Sequence, residues 1–459
     1  MAPTDSDWLG SLRCPRCLGG LIAGEPLRCD TCGVGYPSLG GIPVLLEHAY
    51  DAIDQWRFRL SEFRQTMDAT RARIVVDLAT KTLHASTRAR LQRLAESLER
   101  HRDLVTAHFA GAGLAPAKRT APEQPGVPGE GSVTSYFHQV HRDWGWEAEG
   151  SQENLRALEV VADVLQPPLG RTLVIGAGAC RLASDLHTRG RASLTFAIDI
   201  NPLPLLLAAR VLTGERVPLL ELPLGPIDLA HVCVERELVA PAAVAPGFVP
   251  LFADAFTPPF ADGSFDTVVT PWFIDEVPTD LATYLPVVHR LLRPGGTWID
   301  HGPLIYHPNH TELPARYPSD ELFALVEAAG FTIEQRRMDR LVYMQSPACT
   351  RGRIEAVFTF RARRGDGPTQ PRAQSEAPAW LSDPELPIPR FAGLDGYRAP
   401  HPFFAAVVGA IDGSRSARAI AQALVDSHRV PQQAALPGVQ ACLAEVWRAC
   451  GPSGSATRE

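Results

Sequence analysis

No stretch of this 459-residue chain is apolar for long enough to span a bilayer, and no secretory leader is visible, since the chain opens on the polar, acidic MAPTDSDW. An excess of positive charge is also missing. With 44 Lys and Arg against 51 Asp and Glu, the net charge is −7, which argues against a large nucleic-acid footprint, because binding a phosphate backbone relies on clustered cations. The two basic runs, around Arg336, Arg337 and Arg340 and over Arg361 to Arg364, read as solvated strand edges. The nine cysteines do not form an extracellular disulfide pattern either: four are paired at short spacing and five are scattered. A soluble, cytoplasmic protein without a membrane partner is expected, and its length suggests about three domains.

What is present begins with the four paired cysteines. Cys14-Pro-Arg-Cys17 and Cys29-Asp-Thr-Cys32 are two CxxC pairs separated by eleven residues. Each pair can turn two thiolates toward one ion, and four thiolates complete the closed tetrahedral shell of structural zinc, so Zn2+ held by Cys14, Cys17, Cys29 and Cys32 is predicted. A catalytic thiol pair would need only one CxxC. From Trp56 to Phe109 the chain has helical periodicity without proline, and His84, His101 and His108 read as partly exposed surface residues there. Residues 115–132, APAKRTAPEQPGVPGEGS, form a proline- and glycine-rich tether.

The centre of the chain is Thr172 to Gly190, TLVIGAGACRLASDLHTRG. Leu173, Val174 and Ile175 read as a buried strand, Gly176 and Gly178 as a turn that lets a ligand approach the backbone, and Leu182, Ala183 and Leu186 as the start of a helix whose free N–H groups face that ligand. Strand two, Leu194 to Ile198, ends at Asp199, placed for two ribose hydroxyls. Nicotinamide and S-adenosylmethionine (SAM) enzymes share both features. The downstream order separates them: Asp254 after a third strand, placed for an adenine amino group, Gly263 to Asp275 around a fourth, and Leu291 to Asp300 with an Arg-Pro-Gly-Gly turn before a fifth. This series resembles the class I SAM-dependent methyltransferases, an α/β fold with a Rossmann-like sheet.

Four further segments narrow the resemblance: Arg142-Asp-Trp144 with Glu147 and Gly150, Gly176 to Ala183, Phe273-Ile-Asp275, and Pro294-Gly-Gly-Thr-Trp-Ile-Asp-His-Gly-Pro-Leu-Ile-Tyr-His307. Together, over Tyr136 to Arg364, they resemble the carnosine N-methyltransferase family. The resemblance implies that Trp144 helps close over SAM, that Arg181 forks the methionine carboxylate, that Asp275 holds an imidazole, and that Tyr306 and His307 orient the acceptor or relay its proton. Ligands of open α/β sheets gather at the carboxyl ends of strands, which adds Trp272 to the cofactor mouth. For Asp275 the competing role is a cap on the helix starting near Pro278. Three departures stand out. Cys180 replaces a third glycine, Asp199 stands where the family has an Asn-Glu pair, and the tyrosines that precede the family's last strand are missing from Ala348 to Ala356, with Tyr343 lying earlier.

Residues 365–389 form a second linker, after which Phe403 to Gly413, Ala417 to Leu424 and Val439 to Cys450 read as short amphipathic helices. Their turn sequence resembles small winged-helix modules that bind peptides in natural-product pathways. The expected organisation is a zinc ribbon (1–48), a helical region (49–114), a linker (115–132), a methyltransferase domain (133–364), a linker (365–389) and a small helical module (390–459). The expected function is N-methylation of an imidazole or similar nitrogen in a small molecule or short His-containing peptide. RNA or a peptide natural-product precursor is the alternative acceptor, and a non-catalytic SAM-fold scaffold the alternative role.

Overall fold

The computed structural model describes residues 8–116, 133–277, 280–306, 311–365, 378–391, 394, 402–427, 430 and 432–450. They gather into two compact units, one ending at residue 365 and one beginning at residue 378. Most of the two predicted linkers, and His307, lie outside the described residues.

The amino-terminal segment folds as a small antiparallel sheet of β1 (Leu21–Ile22), β2 (Leu27–Cys29) and β3 (Gly35–Tyr36), followed by the hairpin of β4 (Ser38–Leu39) and β5 (Ile42–Leu45). The stretch of helical periodicity becomes two helices, α1 (Ala49–Thr80) and α2 (Ala85–Ala110), with a break whose far side is capped by the His84 ring accepting from Ser86 N–H. His101 departs from the surface role expected of it. It is 3% exposed, edge-on to Phe63 and Phe137, and its burial pushes its pKa down to about 4.

Two helices, α3 (Phe137–Trp144) and α4 (Ala148–Ala162), lead into the alternating core: β6 (Gly170–Ile175), α5 (Arg181–Arg189), β7 (Ala192–Asp199) and α6 (Pro202–Leu212). A separate hairpin follows, β8 (Val217–Glu221) with β9 (Val234–Leu238). The core resumes with β10 (Phe248–Ala253), β11 (Phe265–Pro271), α7 (Leu281–Leu291), β12 (Leu292–Gly302), α8 (Ser319–Ala328), β13 (Phe331–Tyr343) and β14 (Arg353–Arg364).

The main sheet runs β13-β14-β12-β11-β6-β7-β10-β5-β4. Strands β5, β10, β7, β6, β11 and β12 are parallel and β14 is antiparallel between β12 and β13. Leu173, Val174, Ile175, Phe196, Val268 and Ile299 are fully buried, as expected of central parallel strands covered by helices on both faces. Seven of these strands form the class I methyltransferase sheet, and the amino-terminal segment extends it: β5 pairs with β10, Val44 opposite Phe252 and Leu45 opposite Ala253.

The second unit is helical: α9 (Ala379–Ser382), α10 (Pro402–Gly409), α11 (Ala417–Asp426) and α12 (Gln432–Cys450), around a core that includes Ile388, Val407, Ile420, Val439 and Leu443. No helix of the described residues is long and apolar enough to cross a membrane.

Candidate functional site

The switch between outgoing and returning strand order falls between β6 and β11, so the loops after β6, β7, β10, β11 and β12 share one mouth. The turn after β6 holds three residues in the left-handed region: Gly176 at φ +71°, Gly178 at +53° and, unusually for a side-chain-bearing residue, the fully buried Cys180 at +62°. Cys180 thus adopts the conformation a glycine would take. A Cβ built on Gly178 meets nothing within 4 Å, so this part of the turn faces open space. Asp199 closes the turn from β7: its Oδ2 accepts from Gly178 N–H at 2.8 Å and its Oδ1 from Asn201 N–H at 2.8 Å. Burial holds its pKa above the ordinary carboxylate range although these backbone donors oppose the shift.

Trp144 donates its indole N–H to Ala179 O at 2.9 Å, packing beneath the turn. The Arg181 guanidinium stands 5.3 Å over that ring and donates to Asp185 Oδ2 at 2.9 Å and to Asp143 O at 3.0 Å. Asp254 folds back on its own turn, accepting from Phe256 N–H at 2.9 Å.

The opposite wall comes from β11 to β14. Trp272 (φ +47°) follows β11 and stacks on Tyr343 at 5.4 Å and 19°. Its indole N–H donates to Glu355 at 3.3 Å, and Arg142 lies 5.8 Å from its ring and 5.2 Å from that of Tyr343. Arg142 is itself paired with Asp143 at 2.7 Å, both groups being nearly buried. Asp275 is 3% exposed, accepts from Ile305 N–H at 3.0 Å, and is pushed up to about 7 by burial. Helix α7 is capped by Asp280 through Ala282 N–H at 2.8 Å, so the capping role weighed for Asp275 belongs to another acid. Tyr306 has a buried hydroxyl with no partner among the described residues, as has Asp300 Oδ2, whose other oxygen accepts from Thr270 at 2.6 Å. The two walls touch: a Cβ on Gly176 would lie 2.7 Å from Phe273 Cδ2, which joins the donor-side turn to the loop carrying Asp275.

Sequence reasoning left Arg142, Tyr343 and Glu355 without roles in the mouth, whereas Asp300 was expected there from its place after the fifth strand. The signal for Tyr343 is the β13–β14 register, Tyr343 opposite Arg353, which returns an aromatic ring to the region where tyrosines before the last strand are missing. The basic runs are engaged internally: Arg337 pairs with Asp339 and Asp163, and Arg361 and Arg363 share Glu334.

The four amino-terminal thiols also converge. Cys14 and Cys32 Sγ are 3.7 Å apart, Cys17 and Cys29 3.4 Å, and all four lie within 4.8 Å of one another. A tetrahedral zinc–thiolate site spaces its sulfurs by about 3.8 Å, so the donor set fits that ion. Thr31 and Cys32 N–H groups point at Cys29 Sγ at 3.4 Å, and the Tyr36 hydroxyl lies 3.0 Å from Cys14 Sγ, supplying the outer hydrogen bonds such sites use.

Residues 173–299 match the family model for a methyltransferase domain and residues 243–361 that for carnosine N-methyltransferase. The carnosine N-methyltransferase of Dictyostelium discoideum is 26% identical over 200 residues, 38% of this chain and 42% of that protein, so the chain spans about two fifths of that relative's length. The carnosine N-methyltransferase unmet of Drosophila melanogaster is 33% identical over 92 residues, 18% of this chain and 19% of that protein. Among solved structures, a SAM-dependent methyltransferase from Methanosarcina mazei is 18% identical, covering 45% of this chain and 97% of its own, with a TM-score of 0.31. Residues 173–361 are therefore a class I SAM-dependent methyltransferase domain similar to the carnosine N-methyltransferases.

Proposed function

We propose that this chain transfers a methyl group from SAM to an imidazole or similar nitrogen of a small molecule or short His-containing peptide. What supports the reading is that a Cβ on Gly176 would lie 2.7 Å from the ring of Phe273, two residues before the buried Asp275. When bound, SAM supplies an electrophilic methyl group on a sulfonium. The residues that would hold it are Gly176, Gly178, Arg181, Asp199 and Asp254, with Trp144 and Trp272 as aromatic walls.

The acceptor side has to keep one ring nitrogen's lone pair toward the methyl while fixing the other N–H. Asp275 performs the second task in this reading. Its carboxylate accepts that N–H, selects the tautomer, and stabilises the ring cation as the new N–C bond forms and the C–S electrons return to sulfur. The proton is then released from the ring through Asp275, whose pKa of about 7 suits transfer near neutrality. The unpartnered Tyr306 hydroxyl orients the acceptor. His307 stays in the proposal as a second orienting group. Most of the rate gain comes from holding donor and acceptor in line.

Zinc on Cys14, Cys17, Cys29 and Cys32 belongs to the proposal as a structural ion with no open coordination position. A peptide partner for the carboxyl-terminal unit belongs to it as well, on the resemblance of the turn sequence before α11 to peptide-binding winged-helix modules. RNA is disfavoured as acceptor by the internal pairing of the basic runs.

The test is SAM turnover against L-histidine, carnosine, a His-ending peptide and total RNA, with Asp275→Asn alongside. Methylation of an imidazole compound that Asp275→Asn loses supports the reading. Methylation confined to RNA, or unchanged activity in Asp275→Asn, overturns it.

A further inference from the structure

The connection that leaves β13 after Tyr343 and returns as β14 at Arg353 is held from outside itself. Met344 has φ +57°, a left-handed conformation that a side-chain-bearing residue keeps only where its surroundings impose it. Glu153 of α4 supplies part of that constraint, its carboxylate accepting from Met344 N–H at 3.0 Å and from Gln345 N–H at 2.9 Å. The rest comes from the β8–β9 hairpin. Glu221, the last residue of β8 and 2% exposed, accepts from the Ser346 hydroxyl and from Arg236 Nε at 2.9 Å. A buried carboxylate is costly without partners, which makes the Ser346 hydroxyl a strong tie between hairpin and connection. The same hydroxyl oxygen accepts from Ala348 N–H at 3.0 Å.

The chain following β8 then runs beside the same connection. Thr350 N–H donates to Gly225 O at 2.8 Å and its hydroxyl to that oxygen at 3.1 Å, while Ile227 N–H donates to Ala348 O at 3.2 Å and Pro226 stands opposite Cys349. The hairpin is seated in turn on α2, where Arg100 pairs with Glu235 at 2.6 Å and His108 Nε2 lies 2.6 Å from Pro218 O. The two ends of the connection, Tyr343 and Arg353, are partners in the β13–β14 register. Tyr343 stacks on Trp272, and Arg353 lies 4.7 Å over Tyr343 while pairing with Glu355 at 2.7 Å. The shape of residues 344–352 therefore bears on where this aromatic wall of the mouth stands.

We propose that the β8–β9 hairpin is an acceptor-specificity element, with Glu221 and Ser346 as positioning residues that hold residues 344–350, and through them the Trp272–Tyr343–Arg353 wall, in the shape that receives the methyl acceptor. The proposal rests on the reading of this wall as the acceptor side. Glu221 acts through the connection and not on the ligand. A connection freed to take other shapes binds the acceptor only in the fraction of molecules that keep the formed one, so the apparent affinity for the acceptor falls in that proportion. The glycine turn and Asp199 lie on the other wall, and donor affinity is untouched.

Calorimetric titration of the full chain tests this, using the wild type, Ser346→Ala and Thr350→Val, each titrated with S-adenosylhomocysteine and, once saturated, with carnosine and with L-histidine. Ser346→Ala removes the hydroxyl and leaves the Glu221–Arg236 pair in place. Thr350→Val removes one exposed hydrogen bond and keeps the shape of the side chain. Ser346→Ala is expected to weaken acceptor binding about tenfold and Thr350→Val about threefold, the values of a hydrogen bond to a charged and to a neutral group. Both should bind S-adenosylhomocysteine within about twofold of wild type, and hydrogen exchange at the amides of residues 344–350 should speed up about tenfold in Ser346→Ala. Acceptor affinity within twofold of wild type in Ser346→Ala, unchanged exchange at those amides, or an equal loss of S-adenosylhomocysteine affinity, which marks a general structural role, overturns the hairpin's part and leaves the acceptor reading standing. A wild type that binds neither carnosine nor L-histidine overturns the acceptor reading and this proposal with it.

Discussion

Alanine at the two turn glycines separates fold from ligand. Both positions have positive φ, so an alanine at either costs about 1–2 kcal/mol in backbone strain, partly offset by a gain of about 0.4–1 kcal/mol from a stiffer unfolded chain. At Gly178 nothing else is added, because the new Cβ meets no atom within 4 Å. Gly178→Ala should therefore destabilise by about 1 kcal/mol, a shift of no more than about 3 °C for a unit of this size. At Gly176 the Cβ would sit 2.7 Å from Phe273 Cδ2, a ring that also packs against Tyr284 at 5.4 Å. Pushing that ring adds about 1–3 kcal/mol of overpacking and displaces the loop bearing Asp275. Thermal unfolding and calorimetric titration with SAM give both numbers for each variant. Gly178→Ala should keep its melting temperature and lose at least about tenfold in SAM affinity, because its methyl occupies the space the ligand needs. Gly176→Ala should lose both. Wild-type SAM affinity in Gly178→Ala, or equal destabilisation by the two changes, would refute the reasoning.

The Asp275 carboxyl binds its proton more tightly in the folded than in the unfolded chain. The stability this gives is present below the ordinary carboxylate range and is lost as pH rises through about 7. Asp275→Asn should flatten the pH dependence of unfolding over that window, and an unchanged slope counts against the burial argument. In the wild type, methyl transfer should rise with pH through about 7 as Asp275 ionises, whereas Asp275→Asn should lower kcat about 10²–10⁴-fold without that inflection. Chelation or Cys14→Ser should release about one zinc per chain by elemental analysis and lower the melting temperature, and a chain isolated without zinc but equally stable would contradict the four-thiolate assignment. Arg142→Met leaves the buried Asp143 without its ion-pair partner and with only the more distant Arg181 cation, for a predicted loss of about 3 kcal/mol in denaturant unfolding; a loss under about 1 kcal/mol would mean that water reaches the pair.

Much of the core was legible because its signals are local. The Leu173–Ile175 run, the glycines at 176 and 178, and an acid ending the next strand are set by burial and backbone conformation within thirty residues, and they recur in the structure as β6, the turn and β7. The two CxxC pairs were legible for the same reason. What was missed depends on long-range register. Tyr343 reaches the mouth only because β13 pairs with β14 over its whole length, and β5 joins the main sheet through a partner about two hundred residues away. The β8–β9 hairpin was not read from the sequence, because its two strands pair across a loop and Pro218 stands exposed on one of them. His101 looked like a surface residue because sequence periodicity does not reveal that α3 packs over α2.

The central claim is that donor and acceptor meet between Asp199 and Asp275. A crystal structure with S-adenosylhomocysteine and a histidine-containing dipeptide measures it directly. The account predicts the ribose hydroxyls within hydrogen-bonding distance of Asp199 and an imidazole N–H within that distance of Asp275, the other ring nitrogen facing the thioether sulfur. Ligands bound elsewhere, or an Asp275 carboxylate turned away from the imidazole, would contradict it.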